Sequence, residues 1–237
     1  MSEGNKGLAR AREIYQDQPS RVKELRAEGK KIIGYPCLYV PIEMISAAGL
    51  VPYRICGNSE EPVTEADRAL PIAFCPIMRS IFDLAFKGKY DFLDGMVLHH
   101  SCDSQEKMAR VLESSIEYSY VHFIDWSGII HDETIEYNRG QLSDFRKTLG
   151  AFAGEELSTE KLRKAIELHN QQRALVRELY NLRKPDPPLI SGVEILQVIK
   201  ALMSIPVDEG NKLLKEVLTE VKERKNGPRK KAARLLI

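Results

Sequence analysis

The sequence predicts an α/β fold, a parallel, doubly wound sheet followed by a helical layer. Three observations carry this. Short apolar runs alternate with helical periodicities from residue 30 to residue 126, the order that parallel strand–helix–strand units produce. From 134 to about 231 the helical period continues without a strand-like run. The 237 residues are 43% hydrophobic, with 35 basic and 34 acidic side chains, the composition of a folded chain with a real core.

The elements follow in order. Residues 8–29 read as one amphipathic, highly charged helix with Leu8, Ile14, Tyr15, Val22 and Leu25 on its apolar stripe. Lys30–Tyr35 is a short buried strand, and Pro41–Gly49 a helix with proline at its start and glycine at its end. Leu50–Ile55 is a second strand, weakened by Pro52. After a turn-rich stretch, Pro76–Lys87 is helical, Asp94–His99 is a strand, and Asp103–Tyr118 is a helix whose Asp103 and Glu106 have capping-box spacing. Tyr120–Trp126 is the fourth strand, followed by helices at Thr134–Leu149, Thr159–Leu182, Gly192–Met203 and Val207–Lys225. The chain then closes on an apolar run at 232–237, which reads as the start of a truncated second α/β domain or as a last strand of the first sheet. The expected division is an N-terminal helical segment (1–30), an α/β domain (31–150), a helical segment (151–231) and that start (232–237).

Several function classes have no support. No apolar run reaches the ~20 residues of a membrane span, and the first residues lack a signal-peptide core. A net charge of +1 gives no global pull toward nucleic acid. No Walker or GxGxxG motif marks a nucleotide site. The expected location is the cytoplasm.

The chemistry points to the cysteines. In an open parallel sheet, ligands gather beyond the carboxyl ends of the strands, and Cys37, Cys56, Cys75 and Cys102 all fall there. Cys75 and Cys102 directly precede helices, whose N-terminal N–H groups and dipole stabilise a thiolate for metal ligation or nucleophilic attack. Buried thiols filling the end of the sheet are the alternative. No CxxC is present, so a zinc ribbon or ferredoxin-type run has no support, which leaves ligands brought together from different strand–helix turns. Glu43, in the first helical turn after Cys37, is a candidate base, or simply complements the helix dipole. His99 and His100 precede Cys102, and on a strand one of such a pair faces the core. A thiol enzyme using Cys102 with either histidine is a third reading.

The residues also carry a resemblance. GYPCLYVPIEMISAAGLVPYRICG (34–57), FCPIMRS (74–80) and SCDSQEKM (101–108) resemble, in order and spacing, the opening segments of the 2-hydroxyacyl-CoA dehydratase and benzoyl-CoA reductase family. The resemblance implies two Rossmann-like or flavodoxin-like halves with helices between them, the second homologous half being missing here. It implies a [4Fe–4S] cluster held by three cysteines. Cys75 and Cys102 match the first two, and the third is expected beyond residue 237; Cys37 is the one internal substitute. By the same resemblance, a separate ATP-dependent iron–sulfur activator delivers a low-potential electron, and a ketyl radical anion forms on an acyl-CoA thioester. A 2-hydroxyacyl-CoA is then dehydrated, or the ring of benzoyl-CoA is reduced. Active members pair two homologous subunits. The chain alone is expected to be inactive, and a non-catalytic binding or assembly module of the same fold is the alternative.

Overall fold

A computed structural model describes residues 7–228; the apolar run expected at 232–237 lies outside the described residues. The chain divides into two compact units. One comprises residues 22–165, and the other combines the residues up to 21 with those from 166 onward. The divisions fall within helices α2 (Gln18–Ala27) and α7 (Thr159–Asn181).

The α/β unit is a four-stranded, wholly parallel sheet of β1 (Ile32–Tyr35), β2 (Val51–Arg54), β3 (Gly95–His99) and β4 (Val121–Ile124), in the order β2-β1-β3-β4. The expected parallel α/β sheet is therefore present. The order reverses between β1 and β3, so the topological switch point, where open sheets bind ligands, opens above these two strands. β1 and β3 are buried throughout, which is why they read as continuous apolar runs rather than alternating ones.

The sheet parity sorts the side chains. Ile32, Val51, Tyr53, Met96 and Leu98 join one core with α4 (Pro76–Phe86) and α5 (Asp103–Ser115), which supply Ile81, Phe82, Met108 and Leu112. Ile33, Tyr35 and Val97 join the other core with α3 (Ile42–Ala47) and α6 (Asp132–Ala153), which supply Ile45, Phe145 and Leu149. Helices α4 and α5 thus share one face, and α3 and α6 the opposite one.

Pro52 does not prevent β2. The strand lies at the sheet edge, and Val51 and Ile55 donate to the Lys31 and Tyr35 carbonyls, so by alternation the proline nitrogen faces away from β1. Gly95 is required for close approach, because a Cβ there would lie 2.7 Å from the Tyr120 carbonyl oxygen. Gly154 ends α6 in the left-handed conformation, φ 83°, that favours glycine.

Two expectations are corrected. The helix at 8–29 is two helices, α1 (Gly7–Gln16) and α2. Pro19 cannot donate inside a continuous helix, and the Asp17 carboxylate instead accepts from the Ser20 amide and hydroxyl at 3.2 and 2.6 Å, starting a new helix. In α5 the cap position belongs to Cys102, not Asp103, and no side chain makes the capping hydrogen bond. Asp103 occupies the first helical position and complements the dipole.

The helical unit packs α1, α8 (Gly192–Leu202), α9 (Val207–Lys222) and the latter part of α7 around Ile14, Leu179, Val198, Leu214 and Val217. Ser191 and Glu194 form a reciprocal capping box at the start of α8. The Glu209 carboxylate joins Arg10 and Arg21, each at 2.8 Å. No helix among the described residues is long and apolar enough to cross a membrane.

Candidate functional site

The functional residues expected from sequence all map to the connections at the carboxyl end of the sheet. Cys75 is the N-cap of α4, with Pro76 in the first turn, and Cys102 is the N-cap of α5. Their carbonyls already accept the first helical hydrogen bonds, from Arg79 at 3.0 Å and from Gln105 at 3.0 Å. Neither thiol makes a capping hydrogen bond, so both sulfurs remain available at helix starts, where N–H groups and dipole favour an anion. The two helices pack together on one face of the sheet, which puts the two cysteines at neighbouring helix starts. Cys75 is half-buried and Cys102 exposed.

Cys37 lies half-buried in the β1–α3 turn, beside the switch point. Cys56 follows β2; its Sγ is 3.9 Å from the Arg54 carbonyl, and its own carbonyl accepts the Tyr90 hydroxyl. Glu43 sits in the first turn of α3, across the sheet from α4 and α5, where its charge reaches Tyr35. No disulfide joins the four cysteines.

The segment leading to Cys75 is fastened by residues of α4. The Ser80 hydroxyl accepts from the Asn58 amide at 2.8 Å and donates to the Asn58 carbonyl at 3.1 Å. Arg79 pairs with Asp67. Asp83, only 2% exposed, accepts from the Thr64, Glu65 and Ala66 amides and pairs with Lys87. Burial opposes its ionisation, but Lys87 and the three amides outweigh that and hold the carboxyl below its usual value. The Arg-Ser of FCPIMRS thus anchors the loop that presents the cysteine.

Two histidine environments flank Cys102. His100 is partly exposed, and its Nδ1 lies 2.9 Å from Asp125 Oδ1 at the end of β4; the other Asp125 oxygen accepts from the Tyr137 hydroxyl at 2.8 Å. The hydrogen bonds from Tyr137 and His100 hold the Asp125 carboxyl below its usual value. Gln141 of α6 accepts from the Asp125 amide and Asn138 from the Ser127 amide, so the start of α6 orders the β4–α6 turn. His99 is the core-facing member of the pair, fully buried against Tyr39. Its pKa is pushed down to about 4, by burial first and then by the Arg54 charge, so its ring is neutral at pH 7.

Sequence reading missed Arg54, Asp83, Asp125 and Tyr137. Arg54 and Asp125 carried a usable signal, since each stands at the carboxyl end of a strand; Asp83 and Tyr137 lie inside helical patterns and gave none. A separate groove lined by Ser143, Arg146, Lys147 and Gly154 lies toward the amino end of the sheet, where Lys31 reaches the Phe152 carbonyl, and is not part of this site.

The donor chemistry suits iron in one respect and is incomplete in another. Two cysteines with uncommitted sulfurs at adjacent helix N-termini suit two thiolate ligands of a cluster. Among the described residues, no group of three or more His, Cys, Asp or Glu side chains is gathered to hold a metal.

Comparison with known proteins gives a consistent answer. Over 216 residues, 89% of this chain and 56% of the relative, the sequence is 28% identical to a benzoyl-CoA reductase subunit of Thauera aromatica. It is 25% identical over 227 residues, 94% of this chain and 60% of the relative, to the (R)-phenyllactyl-CoA dehydratase beta subunit of Clostridium sporogenes. It is also 25% identical over 198 residues, 83% of this chain and 52% of the relative, to the beta subunit of (R)-2-hydroxyglutaryl-CoA dehydratase of Acidaminococcus fermentans. The chain spans about half the length of these curated relatives. The 2-hydroxyglutaryl-CoA dehydratase D-component family matches residues 37–237, a span that contains Glu43, Cys75, Cys102 and the histidine pair. The chain belongs to the 2-hydroxyglutaryl-CoA dehydratase D-component family.

Proposed function

We propose that this chain is part of an iron–sulfur subunit of a cytoplasmic acyl-CoA dehydratase or reductase, with Cys75 and Cys102 as two ligands of a [4Fe–4S] cluster. The observation that carries this is the placement of both cysteines as N-caps of adjacent helices at the ligand-binding end of a parallel sheet, with neither thiol used for capping. The third thiolate is assigned to a segment beyond residue 237. When bound, the cluster supplies a low-potential electron, received from an ATP-dependent activator, to the thioester of a 2-hydroxyacyl-CoA or an aromatic acyl-CoA.

The chain's own residues position and enclose. Ser80, Arg79 and Asp83 fix the loop before Cys75. The Asp125–His100 contact ties the end of β4 to the turn that carries Cys102. Glu43 is the candidate base on the α3 side. Leu38, Ile72, Ile77, Ile129 and Ile130 are exposed on the connections at this same end. Apolar surface of this kind supports a covering homologous subunit, which keeps water from the reacting thioester.

The test is anaerobic reconstitution with iron and sulfide, in the presence of the partner subunit. Iron content and the broad brown absorption should appear, and should fall in Cys75→Ala and Cys102→Ala but not in Cys56→Ala. A colourless protein, or iron binding indifferent to both substitutions, refutes the assignment. A protein that assembles with its partner yet takes up no iron is a non-catalytic assembly module.

A further inference from the structure

One helical turn after each proposed cluster ligand stands a buried polar side chain with an unmatched atom. On α4 it is Arg79, four residues after Cys75, whose amide donates to the Cys75 carbonyl at 3.0 Å. Its side chain is 13% exposed, and Nε is buried with no partner among the described residues. One terminal nitrogen pairs with Asp67, and the other lies 3.5 Å from the Ile72 carbonyl. Both of those residues precede Cys75, so the side chain runs back past the start of α4, the direction that helical side chains favour. On α5 the residue is Gln105, three residues after Cys102, whose amide donates to the Cys102 carbonyl at 3.0 Å. Gln105 is 2% exposed, and its Oε1 has no partner among the described residues. It heads the buried stripe of Met108, Ala109 and Leu112, which joins the core shared with α4, so it stands at the head of the α4–α5 seam.

Buried polar atoms are almost always paired in folded proteins, and two orphans at matching positions beside the two cysteines have one explanation in common. The guanidinium is always charged and offers only donors, so it cannot bind iron, and what it lacks is an acceptor, best an anion. A glutamine amide presents an oxygen or, after a half-turn about its last bond, two N–H donors. A thiolate or inorganic sulfide is an anionic acceptor that answers both side chains. Hydrogen bonds to such sulfurs help set the reduction potential of a cluster, and outer partners of this kind orient the ligands of metal sites. An apolar cover leaves both residues unsatisfied, and a bare cation is repelled by Arg79.

We propose that Arg79 and Gln105 are positioning residues of the iron–sulfur site, donating N–H hydrogen bonds to the sulfurs held at the starts of α4 and α5. This rests on the assignment of Cys75 and Cys102 as ligands. Arg79 then has two tasks. Its terminal nitrogens fasten the loop before Cys75, and its Nε–H meets the sulfur that the loop presents. Both donors favour the more negative, reduced form of the site, so removing either lowers its potential.

The experiment reconstitutes the full-length chain anaerobically with its partner subunit. It reads the reduction potential by paramagnetic-resonance titration, and the exchangeable protons coupled to the reduced site by electron–nuclear double resonance in H2O and D2O. Arg79→Met should raise the oxidised-to-reduced ratio at a fixed potential about tenfold, a fall of about 59 mV, and Gln105→Leu about threefold. Each should lose an exchangeable-proton coupling while keeping its iron. Arg79→Lys, which keeps the charge and a donor, should retain most of the native ratio. Asp67→Asn loosens the loop but spares Nε–H, and should keep the coupling. If Arg79→Met fails to take up iron, Arg79→Lys and Gln105→Leu decide by the same two readouts. Native potential and couplings in the variants overturn the proposal, leave the cysteine assignment intact, and mean that the orphaned atoms hold ordered water only. The same holds if Asp67→Asn loses the coupling along with Arg79→Met, since Arg79 then only fastens the loop. A native protein that takes up no iron overturns the cysteine assignment and this layer with it.

Discussion

Asp83→Ala tests how the loop before Cys75 is held. In the native protein the carboxylate accepts the Thr64, Glu65 and Ala66 amides at 2.7, 2.6 and 3.1 Å and faces Lys87 at 2.5 Å. Truncation strands all four donors at once. Removing one partner of a buried ion pair costs about 3–5 kcal/mol. Lys87 is 26% exposed and also donates to the Pro62 carbonyl, so the loss falls at the lower end, about 3 kcal/mol. Because the folded carboxyl lies below its ordinary value of 3.8, its contribution is complete above that value and is lost as pH falls through the folded pKa. Urea unfolding followed by circular dichroism should therefore show the full difference at pH 7 and a smaller one at pH 3. Amide exchange of Thr64–Ala66 should accelerate, and the iron uptake proposed for Cys75 should fall with it. A variant within ~0.5 kcal/mol of native, with these amides still protected, would refute the idea that a buried anion organises this loop.

Other consequences are sharper at single residues. His99 has a folded pKa of about 4 against 6.5 for the free group, so the unfolded chain binds the extra proton and stability falls as pH drops from 6.5 toward 4. His99→Leu should be less sensitive across that window, and an unchanged pH dependence would contradict the burial of a neutral ring. Tyr137→Phe removes a hydroxyl that stabilises ionised Asp125, so the Asp125 carboxyl resonance should titrate at higher pH than in the native protein. Gly95→Ala drives a Cβ against the Tyr120 backbone and should cost about 2 kcal/mol in thermal or urea unfolding. Glu194→Ala breaks the α8 capping box and the Arg224 pair at 2.7 Å and should cost ~1 kcal/mol.

Which features were legible in the sequence follows from the range of the interactions that make them. The strands at 32–35, 51–54, 95–99 and 121–124 and the helices between them rest on local periodicity, so composition and turn residues were enough. The continuous helix at 8–29 failed because one proline outweighs a favourable stripe, and the capping box at Asp103 failed because residue spacing does not say which residue takes the extended cap conformation. Cys102 takes it, φ −164°.

The sequence by itself determined the alternation of strands and helices, the family, and the presence of two cysteines immediately before helix starts. The tertiary structure decided the strand order, and with it the switch point between β1 and β3. It decided which histidine is buried and which meets Asp125, and which helix carboxylate organises the loop before Cys75. These pairings join residues from 17 to 25 positions apart or unite separate strands, and no local pattern encodes a contact that only chain folding creates.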